Sequence, residues 1–367
     1  MSFSLFCLFF FATWLLCLTF LRIGNAKRAK EGKDTSNKAG LAVCASIALG
    51  WILLQSATPS NLFPFNEFIL GLYPFLIAMA SLSMYVIYPN KIGRFWVYFA
   101  ITGLSVIFLP IDWSMSQGFL PLFFDRFLTA LLWALFICIY RRMDKINGLT
   151  IVQTSALCLA FSIFPFMTIN RGIISDSFTT LSYYPMIVLA GIIAFMNYRK
   201  HVPDALLGKT GSVPFGYLMG FFLILLAAKG FWMAALVMPA YYYFELIYST
   251  INQWLHRRYP EPPIFTFFIS WVIRKNLNEK GLFPFLFLNM LGFALIGVVF
   301  NNSIQVILTL SLLLFIYTIY RLYHWGEPKI TYRSMFHDTK DALSQVKSNL
   351  KESISTVSTY MKDKNKK

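Results

Sequence analysis

Charge is scarce in this 367-residue chain. Only 13% of its residues are charged, against about 25% in an average soluble domain. Acidic residues are scarcer still, with 16 Asp and Glu facing 32 Lys and Arg for a formal net charge of +16. In a soluble protein such an excess would point to nucleic acid. Here the basic residues lie in loops between long apolar runs, where they set orientation and meet lipid head groups, and no nucleic-acid partner is expected. The five cysteines (Cys7, Cys17, Cys44, Cys138 and Cys158) all fall in apolar runs and form no CxxC pair. That excludes a disulfide framework and a structural zinc site, and leaves small buried hydrophobes. The first apolar run has neither a basic n-region before it nor a small-residue cleavage site after it, so it is expected to be a span and not a cleaved signal.

Apolar side chains make up 57% of the chain, and Phe alone occurs 38 times. They are organised as runs at residues 2–21, 39–57, 67–88, 95–111, 123–140, 148–168, 179–197, 212–228, 231–251, 281–299 and 303–322. Each can satisfy its own backbone as a helix in lipid. The expected fold is an all-α polytopic membrane protein with about 11 transmembrane helices, forming a domain over residues 1–323. Runs 148–168 and 212–228 are the weakest, one carrying Thr150, Gln153 and Thr154, the other short. Those two are candidates to line a polar interior. Basic residues cluster in alternate loops, including Arg22 to Lys38, Lys91 and Arg94, Arg141 to Lys145, Arg199 to Lys209, and Arg257 to Lys280. The positive-inside rule then places the N-terminus outside and the C-terminus in the cytoplasm.

Two further segments belong to the cytoplasmic side on this reading. Segment 252–280 holds Pro260-Glu261-Pro262-Pro263 and then an apolar stretch, Ile264 to Ile273, too short to span. An interfacial helix is expected there. The basic tail, 324–367, carries Leu343, Val346, Leu350, Ile354, Val357 and Met361 at helical spacing. An amphipathic helix over about 334–361 follows. It could lie on the membrane, pair with a partner protein or a second copy, or stay loosely ordered.

The stretch Leu207-Gly208-Lys209-Thr210-Gly211-Ser212 superficially suggests a phosphate loop. A Walker A loop needs a further Gly upstream, where Pro203 stands, and a preceding strand. Neither is present in the sequence pattern. A plainer reading is a turn into span 212–228, with Ser212 capping the helix. The wider frame, from Asn197 through Pro203 and Gly208-Lys209-Thr210-Gly211-Ser212 to Gly220, resembles a signature of bacterial polyprenyl-phosphate sugar-1-phosphate transferases. That family carries Gly-Asp-x-Gly-Ser where this chain has Lys209 in place of the Asp. The resemblance continues in other loops. Arg141-Arg142-Met143-Asp144-Lys145-Ile146-Asn147-Gly148 is similar to the family's N-F-x-D-G-(I/D)-(N/D)-G stretch, with Asp144, Asn147 and Gly148 matching and Arg141 in place of the Asn. Tyr88-Pro89 stands where the family has an acidic pair.

The resemblance implies transfer of a sugar phosphate from a UDP-sugar to polyprenyl phosphate. It also implies a Mg2+ ion held by carboxylates, in the bacterial inner membrane, for cell-wall and surface-polysaccharide synthesis. Of the implied carboxylates only Asp144 survives; Tyr88, Pro89 and Lys209 are degenerate positions. No confident metal ligand remains, and Asp144 would be one only in an active enzyme. Phosphate-binding candidates are Lys91, Arg94, Arg141, Arg142, Lys145, Asn147 and Lys209. Lys209 has three open roles, namely a static pair with Asp144, contact with phosphate, or solvation. The leading expectation is a divergent, non-catalytic homologue that binds a lipid phosphate or assists glycan assembly. An active transferase and an unrelated transporter, with Glu245 and Gln153 as intramembrane polar groups, are the alternatives.

Overall fold

The computed structural model describes residues 3–31, 39–56, 91–107, 109, 114–144, 146, 148–169, 183–202, 205, 207–255, 268–275, 282–300 and 303–326. Among them are twelve helices and no strand. They are α1 (Phe3–Glu31), α2 (Ala39–Ser56), α3 (Lys91–Ile107), α4 (Leu122–Met143), α5 (Leu149–Ile169) and α6 (Tyr183–Arg199). After these come α7 (Lys209–Ala228), α8 (Trp232–Val237), α9 (Ala240–Leu255), α10 (Phe268–Lys275), α11 (Leu282–Val299) and α12 (Ile304–Gly326). Among the described residues, four stretches are long and apolar enough to cross a membrane: Leu122–Met143, Thr210–Ala228, Leu282–Val299 and Ile304–His324. The chain is a helical, membrane-type protein. Run 67–88 and the tail helix about 334–361 lie outside the described residues.

The bundle is organised around α7, which packs mainly against α2, α4, α5 and α8. Its apolar window is 94% buried, whereas that of α12 is 17% buried and flanks the bundle. In lipid, apolar side chains alone give helices little reason to associate, so close backbone approach and interhelical hydrogen bonds carry the packing. Both occur where α4 crosses α7. Gly216 and Gly220 admit the side chains of Tyr140 and Trp133; a Cβ added to them would lie 2.8 Å from Tyr140 Cβ and 2.6 Å from Trp133 Cδ1. Trp133 Nε1 then donates to the Tyr217 carbonyl at 2.9 Å, and the two rings stack with centroids 4.5 Å apart. Tyr217 in turn donates to Ser105 Oγ on α3 at 2.9 Å. On the far side, Thr318 of α12 donates to Asn289 Oδ1 of α11 at 2.8 Å.

Large apolar side chains cover the outside. Leu8, Phe11, Phe123, Leu288, Leu312, Leu313 and Ile316 are exposed, a surface suited to lipid. Helix α5 is different. It buries Thr150, Gln153, Thr154, Ser155 and Ser162, so the expectation that run 148–168 turns a polar face inward fits its place in the bundle. Thr154 and Ser162 satisfy their hydroxyls on the carbonyls four residues back, at 2.6 and 2.7 Å, and Thr154 also meets the Tyr140 hydroxyl.

Run 231–251 reads as one span but forms two helices, α8 and α9, parted at Met238-Pro239. Proline has no N–H to donate and its ring obstructs the preceding turn. The break leaves the Met238 carbonyl available, and Gln153 Nε2 of α5 donates to it at 3.4 Å.

Candidate functional site

The site lies where one end of α4 meets the start of α7. Helix α4 ends at Met143, and Asp144 is its C-cap. The chain turns at once into α5 through Gly148, whose φ of 92° lies in the region that favours glycine. This short turn brings Thr150, in the first turn of α5, back alongside Asp144. Helix α7 starts at Lys209, with Gly208 as N-cap at φ 65°. Lys-Thr-Gly is therefore the first turn of a helix and not a loop before one, which corrects the expected start at residue 212. Ser212 does not cap. It sits one turn in, and its hydroxyl donates to the Gly208 carbonyl at 2.9 Å.

The backbones of α2 and α7 touch beside this turn. A Cβ on Gly40 would lie 2.2 Å from the Leu207 carbonyl oxygen and 2.4 Å from Gly211 N. Cys44, one turn along α2, donates to the Thr210 carbonyl at 3.5 Å. The first turn of α7 is thus enclosed by α2 on one side and by the α4–α5 corner on the other.

Into this enclosure projects the carboxyl of Asp144. It accepts from Gly208 N–H, contacts the Ser212 hydroxyl, and feels the positive charge of Arg199 at the end of α6. Thr150 Oγ1 also faces it and favours its charge, but stands outside full hydrogen-bonding geometry with any group. Burial outweighs all these partners and pushes the carboxyl from 3.8 up to about 7. Burial likewise lowers Arg199, with Asp144 acting in the opposite direction. Burial favours the protonated form of Asp144 and its partners favour the ionised one, in opposition. Ser212 has a single O–H. When Asp144 is protonated it donates to Ser212, which continues to the Gly208 carbonyl. When Asp144 is ionised, Ser212 must choose between the carboxylate and that carbonyl.

A carboxylate ringed by an N–H, two hydroxyls and a guanidinium is held by donors. Magnesium requires several oxygen acceptors instead. Among the described residues no three His, Cys, Asp or Glu side chains gather to hold a metal, and the described groups around Asp144 are donors that do not fit the Mg2+ the resemblance implies.

The other expected site residues are distributed unevenly. Arg141 donates from Nη1 to the Tyr98 hydroxyl at 2.9 Å, tying α4 to α3. Arg142 is half-buried at the end of the same helix. Lys91 and Arg94 lie in the first turn of α3 and Lys209 in that of α7, with side chains outside the described set. Tyr88, Pro89, Lys145 and Asn147 are outside the described residues, and so is any pairing of Lys209 with Asp144. Thr150 was singled out only as a polar residue of run 148–168, and neither it, the Gly208 N–H nor Arg199 was read from sequence as a partner of Asp144. Arg199 carried a signal, as a cation ending an apolar run on the same face as Asp144.

Glu245, the intramembrane acid that a transporter reading would use, has a different occupation. Its Oε1 accepts from the Tyr241 hydroxyl at 2.7 Å and from Ile269 N–H at 3.0 Å, and its Oε2 from Phe268 N–H at 3.0 Å. These are the first amides of α10, and a carboxylate there caps the helix and suits its dipole. Glu245 fastens α10 to α9.

No protein-family model matches the chain, and no curated protein matches it. The resemblance to the sugar-phosphate transferases therefore rests on the loop motifs alone.

Proposed function

We propose that this chain is a divergent, non-catalytic relative of the polyprenyl-phosphate sugar-1-phosphate transferases. On this reading it crosses the bacterial inner membrane about eleven times, with the N-terminus outside and the C-terminus in the cytoplasm. The Asp144 end then faces the cytoplasm. Its role is to bind a phosphate-bearing lipid, such as polyprenyl phosphate, as an accessory to cell-envelope glycan assembly. The basic loops around Asp144 supply the charge for a phosphate head group, and the tail is a candidate contact for a partner protein or a second copy. One observation carries the non-catalytic part: the surviving carboxylate is engaged by Gly208 N–H and the Ser212 hydroxyl instead of standing among acceptors that would share a metal.

The experiment pairs binding with turnover. Protein in nanodiscs is offered polyprenyl phosphate and the corresponding polyprenol, with binding read by native mass spectrometry, and is then assayed with a panel of UDP-sugars and Mg2+. Preference for the phosphorylated lipid without transfer is expected. Sustained magnesium-dependent transfer would overturn the reading. An active transferase is the second reading, favoured by a carboxyl that titrates near neutrality and so suits proton transfer. It requires Asp144→Asn to abolish that transfer.

A further inference from the structure

We infer that the first turn of α7 is an oxyanion seat and that the side chain of Asp144 is its built-in occupant, which an external phosphate group must displace. The inference rests on the phosphate-binding reading for the identity of the ligand. Its geometry stands independently.

A helix start offers N–H groups with no partner inside the helix, and its dipole favours negative charge. Gly208 opens α7 with a positive φ and no side chain to cover that end. No side chain of α7 itself caps it. Asp144 comes from another helix to do so, accepting from Gly208 N–H beside Ser212 and Arg199. The match is incomplete. Thr150 is 2% exposed, and its Oγ1 is buried and faces the carboxyl without completing a hydrogen bond. A buried hydroxyl in that condition is costly, and structures rarely leave one so. A carboxylate has two oxygens to share among these donors. A tetrahedral oxyanion has up to four, and can serve Gly208 N–H, Ser212, Thr150 and Arg199 together.

Asp144 and an entering phosphate are both anions competing for one seat, so the carboxylate works against the ligand. Among the described residues, the charged and titratable groups facing it are Arg199 from α6 and Tyr140 and Tyr242 from α4 and α9. Arg141 is drawn to Tyr98. Removing the carboxylate removes both a steric occupant and a like charge.

The test compares wild type, Asp144→Ala and Asp144→Asn in nanodiscs of zwitterionic lipid. Binding of inorganic phosphate is measured by microscale thermophoresis at constant ionic strength, with chloride as control. A parallel arm uses nanodiscs carrying polyprenyl phosphate or polyprenol, which separates a free anion from a lipid head group. The expected result is at least about tenfold tighter phosphate binding by Asp144→Ala than by wild type. A smaller gain is expected for Asp144→Asn, which keeps an oxygen on Gly208 N–H, and the gain should vanish when Arg199→Gln is added. Asp144→Asn keeps the side-chain volume and serves if Asp144→Ala is not monodisperse. Equal or weaker phosphate binding in both variants overturns the inference. If wild type still selects polyprenyl phosphate in that case, the seat is wrong and the lipid-binding reading stands. A gain for inorganic phosphate with no lipid preference supports the seat and sinks the lipid reading.

Discussion

Asp144→Asn should stabilise the protein above neutrality and destabilise it modestly in mild acid. The folded carboxyl is pushed from 3.8 up to about 7, chiefly by burial. A raised carboxyl means that between those values the folded state holds a proton that the unfolded chain has released. Stability from this group is therefore present at the acid end and is lost as pH rises through the window. Above about pH 7 both states are ionised, and the folded state bears the full cost of a desolvated carboxylate, at most about 4 kcal/mol. Asn resembles the protonated acid in shape and in its ability to accept from Gly208 N–H and donate to Ser212. It adds one N–H that needs an acceptor, which costs about 1–2 kcal/mol. The variant should therefore be about 1–2 kcal/mol less stable than wild type at about pH 4 and roughly 2–3 kcal/mol more stable well above pH 7. Denaturation in mixed micelles, followed by the fluorescence of the nine tryptophans, measures this difference at each pH. Taking the difference between two proteins cancels every other titrating group. A gap that stays flat with pH would refute the reasoning, and so would a wild type that gains on the variant as pH rises. The latter would mean that Arg199 and the α7 start together overcome burial.

Further expectations follow from the packing and the second carboxylate. Gly40→Ala would drive a methyl to 2.2 Å from the Leu207 carbonyl oxygen; backbone cannot yield cheaply, so a loss of about 2 kcal/mol or more is expected. An unchanged thermal midpoint in detergent would show that α2 does not press on the α7 start. Glu245→Ala leaves Phe268 N–H, Ile269 N–H and the Tyr241 hydroxyl without their acceptor, at a cost of roughly 3 kcal/mol or more at about 1–3 kcal/mol for each donor left unpaired. Limited proteolysis should then cut near α10 first, and uniform cleavage along the chain would count against the capping role. Trp133→Phe keeps most of the ring area but loses the bond to the Tyr217 carbonyl. A loss of about 1 kcal/mol is expected, and a loss within error would mean that the bond contributes nothing.

Most helices could be read from the sequence because lipid leaves so few alternatives. Ten of the eleven apolar runs coincide with described helices, since a run of that length must satisfy its own backbone. The break at Pro239 was legible in principle, but mean hydropathy averages over a single residue. Run 212–228 was a candidate for the interior because it is short, yet composition cannot say which helix is central. Asp144 was found by motif, and its partners were not. Gly208 contributes a backbone N–H that any residue but proline would have, and Thr150 and Arg199 reach Asp144 only through the packing of α5 and α6. Glu245 was visible as an acid in an apolar run. That it caps a helix more than twenty residues further along has no local signature.

The central place of α7 bears on how the chain is made. Of its main neighbours, α2, α4 and α5 precede it in the sequence and only α8 follows. Synthesis proceeds from the N-terminus, and earlier segments can associate first. When α7 emerges, most of the groove that will hold it can already be in the membrane. The Gly216 and Gly220 face then meets Tyr140 and Trp133 on insertion instead of waiting for later helices. Chains ended after α8 should therefore keep the α4–α7 crossing, whereas loss of α2 should leave α7 inserted but poorly seated and open to quality-control proteases.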